Sequence, residues 1–498
     1  MDSKLESPEV PQSLSTRKSL AWSFSQEAGQ NILRFIGSIA IARLLTPDEV
    51  GVFALAMAAN FLISSLQSFG IGAYLVRARE LTHDRIRTTF GMSLLVSWSI
   101  AALVLLARHP IAELYDTPGI ADVLLLVAAT FFINPFGQPA QALLTRELRF
   151  DILHHIGLAS VIISIGTSVG LAFLGLSYMA LAWGMVAGSA VQAALLIAVR
   201  RDHLRLRPSL RHWREVAQFG GWLSAGSVVD TFNVEGNKLF LGGLINPSAV
   251  ALFERGQQIP RIARETLFRP LGRVIFPTFA RDIREGKSIG PAVEMLVAAQ
   301  TAIIWSAFLT VAILAKPIIV FLFGENWSVA GMLLPYLAVS MGVRAALPQP
   351  NQILTPHGKV RRLFVLTTIV SVSTLVFGVL GALHSLEMFA ILTVPASVVS
   401  LVMCYIALRP FLGTDLAALV PHYLKSLVTA LFSSIPSVTV YLLYGADVPV
   451  HSLLFALAVA PLFWLLAIHL TGSVVVAEID LILRKGVSLL RRRRGYGR

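Results

Sequence analysis

The sequence is poor in charged residues and holds a single cysteine. Only 14% of its 498 residues are Asp, Glu, Lys or Arg, whereas an average soluble domain has about 25%. This composition excludes an ordinary soluble globular protein. Cys404 lies in an apolar run, so an intrachain disulfide and a zinc cluster built on cysteines are both excluded. The first 19 residues contain no apolar core, so we expect a cytoplasmic tail over residues 1–19 and not a cleavable signal peptide.

Hydrophobic residues are what the chain has in abundance. They make up 55% of it, and the mean hydropathy is +0.71. A helix that crosses a bilayer needs about 20 mostly apolar residues, so the chain has enough for a dozen or more spans. The sequence therefore predicts an all-α polytopic membrane protein. Apolar segments predict fourteen transmembrane helices, near residues 20–42, 50–76, 88–107, 120–143, 153–174, 178–199, 217–244, 249–280, 292–323, 328–354, 361–383, 386–408, 422–444 and 450–471.

The distribution of basic residues predicts the orientation of these helices. Thirty of the 41 lysines and arginines fall in the two tails and in one set of alternate loops, and three fall in the opposite loops. Because cytoplasmic loops accumulate Lys and Arg, we expect both termini in the cytoplasm and an even number of spans, fourteen or twelve. The net charge of +13 therefore records membrane topology and does not predict a nucleic-acid partner.

An internal repeat at an offset of 200 residues predicts two similar lobes. Leu44, Pro47, Val50 and Phe53 match Leu244, Pro247, Val250 and Phe253. Six predicted helices separate the two copies, so we expect two parallel six-helix lobes with a cleft between them, and two helices outside the duplication. The predicted organisation is a tail at 1–19, an N-terminal lobe at 20–199, a basic cytoplasmic linker at 200–216, a C-terminal lobe at 217–408, two additional transmembrane helices at 409–471 and a basic cytoplasmic tail at 472–498.

Two segments carry a resemblance to a known family. Residues 42–56, ARLLTPDEVGVFALA, and residues 69–77, FGIGAYLVR, resemble the Wzx-type flippases, the polysaccharide transporter branch of the multidrug/oligosaccharidyl-lipid/polysaccharide (MOP) exporter superfamily. Exopolysaccharide and colanic-acid exporters are the most similar. The resemblance implies a flippase, with no cofactor, that moves a polyprenyl-pyrophosphate-linked oligosaccharide across a bacterial inner membrane by alternating access, for exopolysaccharide or lipopolysaccharide synthesis. Membrane lipids and a polysaccharide polymerase or co-polymerase are the partners it implies.

Eight basic residues fall within the predicted spans, where a charge is costly and faces a cavity or a partner. Guanidinium groups bind phosphate oxygens bidentately, so such residues suit the diphosphate of a lipid-linked sugar in a hydrated cleft. The eighth predicted helix is the richest in them. At 100° per residue, half of its circumference holds Glu254, Arg255, Gln258, Arg261, Arg264, Glu265, Arg269 and Arg273. The alternative is an amphipathic helix that lies on the cytoplasmic surface.

The first helix of each lobe is also polar. Glu27 and Arg34 share one face of the first helix, and Asp230, Glu235 and Lys238 occupy the corresponding region of the seventh. The predicted substrate-binding cations are Arg34, Lys238, Arg255, Arg261, Arg264, Arg269 and, from the tenth helix, Arg344. The predicted coupling or gating carboxylates are Glu27, Asp230, Glu235, Glu254 and Glu265. The alternative is that these charges form buried salt bridges that only hold the lobes together.

Two other functions compete with that of a flippase. A cation-coupled drug or small-solute antiporter of the same superfamily would favour an acidic and aromatic cavity, which the excess of intramembrane Arg and Lys opposes. A polymerase or ligase for lipid-linked glycans usually carries a large periplasmic loop, and no loop of that length lies between the predicted spans. No catalytic triad or metal-ligand pattern is visible, so we expect no enzyme activity, no metal and no catalytic residue.

Overall fold

The fold is built from α-helices. The computed structural model describes residues 16–65, 82–200, 208–211, 213–214, 231–232 and 234–472, and at 16–28, 83, 266–278 and 280 it describes the backbone alone. Throughout these described ranges the regular structure is helical, with no strand. The predicted fold class, an all-α polytopic membrane protein, is confirmed.

The chain divides into two compact units, unit 1 at residues 1–251 and unit 2 at residues 252–498. The predicted boundaries at the linker and before the last two helices stay predictions. The helices of unit 1 are α1 (Thr16–Leu44), α2 (Pro47–Ser64), α3 (His83–Leu114), α4 (Gly119–Ile133), α5 (Gln138–Arg146), α6 (Phe150–Phe173), α7 (Tyr178–Val199) and α8 (234–244).

The long helix α9 (Pro247–Arg284) begins in the last residues of unit 1 and continues into unit 2. The remaining helices all belong to unit 2. They are α10 (Gly290–Ile313), α11 (Ala315–Phe323), α12 (Ser328–Arg344), α13 (Pro350–Leu354), α14 (Val360–Ala382), α15 (Leu386–Leu412), α16 (Leu416–Ser433), α17 (Ile435–Tyr444) and α18 (Val450–Leu470).

Among the described residues, eleven helices are long and apolar enough to cross a membrane. They correspond to eleven of the fourteen predicted spans. Two of the other three predicted spans, 20–42 and 249–280, lie on α1 and α9, whose polar and charged residues lower the mean hydropathy of the helix. The third, 217–244, lies partly outside the described residues. The protein is a multi-pass membrane protein, and the count of fourteen stays a prediction.

The two copies of the internal repeat adopt the same helix start. Thr46 accepts a hydrogen bond from the backbone N–H of Glu49, and the Glu49 carboxylate accepts one from the N–H of Thr46, so the motif TPDE forms a capping box with proline in the first turn. In the second copy, the side-chain oxygen of Asn246 accepts from the N–H of Ala249 at 2.8 Å. The offset of 200 residues therefore marks two helix N-termini that share a side-chain cap followed by proline, and the first copy alone adds the reciprocal bond from Glu49.

These two helix starts also touch each other within unit 1. A Cβ at Gly51 would lie 2.1 Å from the carbonyl oxygen of Pro247, a separation that no side chain can occupy. Four residues further along α2, Leu55 packs against Gly242 of α8. Glycine is required at position 51 because the backbone of the second copy approaches so closely.

The fourth predicted helix of each lobe is interrupted, although the sequence predicted one continuous helix in each case. In unit 1, α4 ends at Ile133, a 3₁₀ turn covers Asn134–Phe136, and α5 begins at Gln138. In unit 2, α12 ends at Arg344 and α13 begins only at Pro350. Proline at the start of each second half accounts for the break, because it lacks the N–H that a continuous helix would need.

Candidate functional site

The charged face of α9 contains side chains in three different environments. Arg261 and Arg264 are exposed, and Glu254 and Glu265 are half-buried. The side chain of Gln258 is buried. The predicted sites at Arg269 and Arg273 lie outside the described side chains. A helix with exposed arginines along its length tolerates a membrane environment only where these groups meet water or a polar partner.

Arg255 differs from Arg261 and Arg264 because aromatic rings enclose it. Its guanidinium carbon lies 5.2 Å from the ring centroid of Phe323 and 5.1 Å from that of Trp327. Nη1 of Arg255 donates a 2.7 Å hydrogen bond to Oε1 of Gln258. Both rings are buried. The arrangement is an intramolecular cation–π contact between α9 and the turn that joins α11 to α12.

Arg344 lies where α12 ends, and its side chain is exposed. Nη2 of Arg344 is 3.4 Å from Oγ1 of Thr374 on α14. Within the described part of unit 2, neither Arg264 nor Arg344 forms an ion pair with a carboxylate.

In unit 1, the structure pairs two residues that the sequence assigned to different roles. Nζ of Lys238, a predicted substrate cation, lies 2.8 Å from Oε2 of Glu235, a predicted coupling carboxylate. Their side chains are 13% and 10% exposed, so the ion pair is buried. Arg34 is exposed on α1. The side chain of Glu27, its predicted neighbour, and the whole of Asp230 lie outside the description.

Several side chains that shape these sites were missed by the sequence interpretation. Phe323 and Trp327 have no distinguishing signal, because aromatic residues at helix ends are common in membrane proteins. Gln300 does have one, since it is a lone amide in the apolar helix α10. Its Nε2 donates a 2.5 Å hydrogen bond to the carbonyl of Ala345, beside Arg344. No cluster of three or more His, Cys, Asp or Glu side chains that could hold a metal occurs in the described residues.

Comparison with known proteins gives both a family and a fold. A family model described as "Polysaccharide biosynthesis protein" matches residues 40–332. The lipopolysaccharide biosynthesis protein WzxC of Escherichia coli is 22% identical over 416 residues, which cover 82% of this chain and 83% of WzxC. The succinoglycan biosynthesis transport protein ExoT of Rhizobium meliloti is 22% identical over 66% of each chain.

Two solved structures share the architecture. The lipid II flippase MurJ in its inward closed conformation is matched with a TM-score of 0.70, at 14% identity, over 93% of this chain and 100% of that one. An inward-facing multidrug resistance MATE family transporter of the MOP superfamily is matched with a TM-score of 0.58, at 14% identity, over 76% of this chain and 95% of that one. At 14% identity, the similarity to these two structures establishes the fold alone.

Proposed function

The chain belongs to the polysaccharide biosynthesis protein family, and from this we propose that it flips a polyprenyl-pyrophosphate-linked oligosaccharide across the bacterial inner membrane. The family match confirms the resemblance inferred from residues 42–56 and 69–77. Relatives named for lipopolysaccharide biosynthesis and for succinoglycan transport support this substrate class. So does a fold shared with a lipid II flippase, since lipid II is also a lipid-linked saccharide.

The observation that carries the proposal is the exposure of Arg261 and Arg264 on α9, within a helix that the sequence places in the membrane. They are one helical turn apart and carry fixed positive charge. Arginine stays protonated at low dielectric and presents a planar fork of donors that matches phosphate oxygens. A diphosphate joined to a long apolar chain needs such groups along its path, while the polyprenyl tail stays in lipid.

In the proposed mechanism the lobes rock about the substrate and expose it to each leaflet in turn. The residues we assign to substrate binding are Arg34, Lys238, Arg255, Arg261, Arg264, Arg269 and Arg344, and those we assign to coupling or gating are Glu27, Asp230, Glu235, Glu254 and Glu265. Both termini lie in the cytoplasm, and a polysaccharide polymerase or co-polymerase receives the flipped unit. No covalent bond is made or broken.

A cation-coupled drug or small-solute antiporter is the second candidate, because the MATE transporter fold also matches. Cationic drugs are bound through carboxylates and aromatic faces. Among the described side chains of α9, the exposed charges are arginines, and they would repel such a cargo. The antiporter is therefore the weaker of the two proposals. The phenotype of a deletion strain, loss of polymer export or loss of drug resistance, distinguishes the two functions.

The experiment is complementation of a chromosomal deletion, with exported polymer and lipid-linked repeat units both measured. We expect deletion to abolish polymer export and to leave repeat units in the cytoplasmic leaflet. Replacing Arg261 and Arg264 together by Ala should lower export about ten-fold or more, because each charge-assisted hydrogen bond contributes about 1.5–3 kcal/mol. Arg281→Ala is the matched control, since this exposed arginine pairs with Asp282. Unchanged polymer with lost drug resistance in the deletion strain would favour the antiporter.

A further inference from the structure

Residues 208–211, which we call the linker strap, follow α7 in the chain and lie across the start of α3 within unit 1. The backbone N–H of Ser209 donates a 3.1 Å hydrogen bond to the carbonyl of Arg87. Nη1 of Arg211 donates another of 3.1 Å to Oδ2 of Asp84, about one turn earlier on α3. A main-chain hydrogen bond and an ion pair thus attach the linker strap to one helix.

Gly91 permits this close approach. A Cβ at position 91 would lie 2.3 Å from the carbonyl oxygen of Ser209 and 3.0 Å from its backbone nitrogen. Gly91 is buried in the interior of α3, where glycine is less favourable for the helix than alanine would be. The strap, and not the helix, therefore accounts for the glycine at this position.

Unit 2 contains a second strap, Gly413 and Thr414, which follows α15 as the linker strap follows α7. A Cβ at Gly290, the first residue of α10, would lie 2.2 Å from the carbonyl oxygen of Gly413. Thr414 donates a hydrogen bond to the carboxylate of Glu294 on the same helix. Gly290 lies one residue from the position 200 residues after Gly91. In each lobe the third predicted helix therefore holds the chain that leaves the sixth, at a glycine.

The two straps differ in how far they can move. The second belongs to the short connection Gly413–Asp415, because α15 ends at Leu412 and α16 begins at Leu416. It can leave α10 only if two helices move with it. The linker strap has more chain before it, since α7 ends at Val199. It can therefore leave α3 while α7 stays in place.

The ion pair of the linker strap is also weak. The side chains of Arg211 and Asp84 are 73% and 39% exposed, and ion pairs so open to water contribute little and are screened by salt. Oδ1 of Asp84 lies 3.7 Å from Nη1 of Arg87 as well. When Arg211 leaves, Asp84 thus retains a counter-ion on its own helix, so the pair can open at little cost.

From these observations we propose that the linker strap is a releasable clasp, which detaches from α3 and reattaches to it, whereas the second strap stays bound to α10. We further propose that the clasp opens in each transport cycle. The linker joins the two predicted lobes, and detachment lengthens the free chain between them, which a rocking motion requires. This second part rests on the proposed function, and the first part does not.

A single thiol in the strap measures its attachment. Ser209→Cys in a Cys404→Ser background gives the purified full-length protein one cysteine, whose rate of reaction with a maleimide is compared with that of free cysteine. We expect the rate to rise about three-fold from low to high salt, because salt screens the ion pair. Arg211→Gln should show the raised rate at low salt already. Arg281→Gln, which removes an arginine from another ion pair, is the control and should change nothing. A rate that responds neither to salt nor to Arg211→Gln overturns the clasp.

The two glycines distinguish a releasable strap from a permanent one. Gly91→Ala places a methyl group where the carbonyl of Ser209 lies, so the strap should detach and the thiol should react at the raised rate. The thermal midpoint should stay equal or rise, because α3 gains a better helix former. Gly290→Ala should lower the midpoint, because its strap cannot move away. Equal losses in the two variants would show that both straps are permanent and would overturn the proposal.

A bridged strap tests the role in transport. In the Cys404→Ser background, Asp84→Cys and Arg211→Cys of the purified protein are joined by a bifunctional methanethiosulfonate before reconstitution. Translocation of a polyprenyl-pyrophosphate oligosaccharide in vesicles is then measured with the bridge intact and after its reduction. We expect the bridge to slow translocation several-fold and reduction to restore it. The same bridge between Glu285→Cys and Lys287→Cys, an exposed ion pair within one loop, is the control and should have no effect.

The outcomes separate this role from the flippase assignment. An undiminished rate in the bridged protein would show that the strap does not open during the cycle. If the unbridged protein translocates nothing, the flippase assignment fails, and the role of the clasp in the cycle fails with it. The labelling rates and thermal midpoints require no transport, so they decide in either case whether the linker strap is releasable.

Discussion

The guanidinium carbon of Arg255 lies 5.1 Å from the centroid of the buried Trp327 ring, which joins α9 to the turn before α12. The contact turns the most N-terminal arginine of α9 into part of the interior of unit 2. Arg261 and Arg264, further along the same helix, remain exposed. Arginines on one face of α9 therefore lie in two environments, enclosed by aromatic rings at position 255 and exposed at positions 261 and 264.

We predict that Arg255→Ala destabilises the protein by about 2 kcal/mol, the size of a desolvated cation–π contact. Trp327→Phe keeps an aromatic face against the guanidinium group and should therefore lose less stability than Arg255→Ala. Thermal unfolding in detergent measures both. Arg261→Ala is the matched control on the same helix and should unfold at the wild-type temperature. Equal midpoints for Arg255→Ala and Arg261→Ala would show that the aromatic contact contributes nothing.

Gly51→Ala should be poorly tolerated, because its new Cβ would lie 2.1 Å from the carbonyl oxygen of Pro247 and backbone atoms would have to move. Overpacking of this kind costs about 1–3 kcal/mol. Gly166→Ala on α6 is the control, since no atom lies within 4 Å of the added methyl group. It should be neutral or stabilising by about 0.5–1 kcal/mol. The two variants are compared by the yield of monodisperse protein on size-exclusion chromatography. Equal yields would refute the close approach of Gly51 to the backbone of Pro247.

The buried pair of Glu235 and Lys238 predicts a non-additive double-mutant cycle. Lys238→Met alone should cost about 3–5 kcal/mol, because it leaves a buried carboxylate without this counter-ion. The double variant Glu235→Gln with Lys238→Met removes both charges and should recover most of that loss. Unfolding midpoints of the wild type, the two single variants and the double variant complete the cycle. If the loss of stability in the double variant equals the sum of the losses in the two single variants, the two groups do not stabilise each other.

Because both copies of the internal repeat begin a helix with a side-chain cap, removing either cap should cause a similar loss of stability. Thr46→Ala and Asn246→Ala should each cost about 1 kcal/mol, because each removes the side-chain oxygen that accepts from the first turn of the helix. Thr46→Ser and Asn246→Asp preserve that acceptor and should remain close to the wild type in thermal stability. A loss at one copy and none at the other would show that only one of the two caps is needed.

The sequence predicted the features that depend on local pattern. Apolar runs predicted the helical membrane fold, and the two copies of the internal repeat, at Pro47 and Pro247, coincide with two helix starts that the structure builds alike. The breaks after Ile133 and Arg344 were not predicted, because proline is tolerated within membrane helices and does not by itself indicate an interruption. Nor did the sequence distinguish the enclosed Arg255 from the exposed Arg264.

That last distinction depends on tertiary contacts. Phe323 and Trp327 are 68 and 72 residues from Arg255. Helical periodicity predicts only which residues share a face of one helix. It cannot predict which distant residues pack against that face, and so the aromatic enclosure of Arg255 became visible only in the folded chain.

Translocation by the purified protein tests the central claim most directly. Vesicles containing the protein and a labelled polyprenyl-pyrophosphate oligosaccharide in one leaflet are sampled over time with a membrane-impermeant glycosidase on the opposite side. We predict that the head group becomes accessible faster than in protein-free vesicles, and that Arg261→Ala with Arg264→Ala abolishes most of the difference while Arg281→Ala does not. Accessibility that rises no faster than in protein-free vesicles, under imposed ion gradients of either direction, would contradict the assignment of this protein as a flippase.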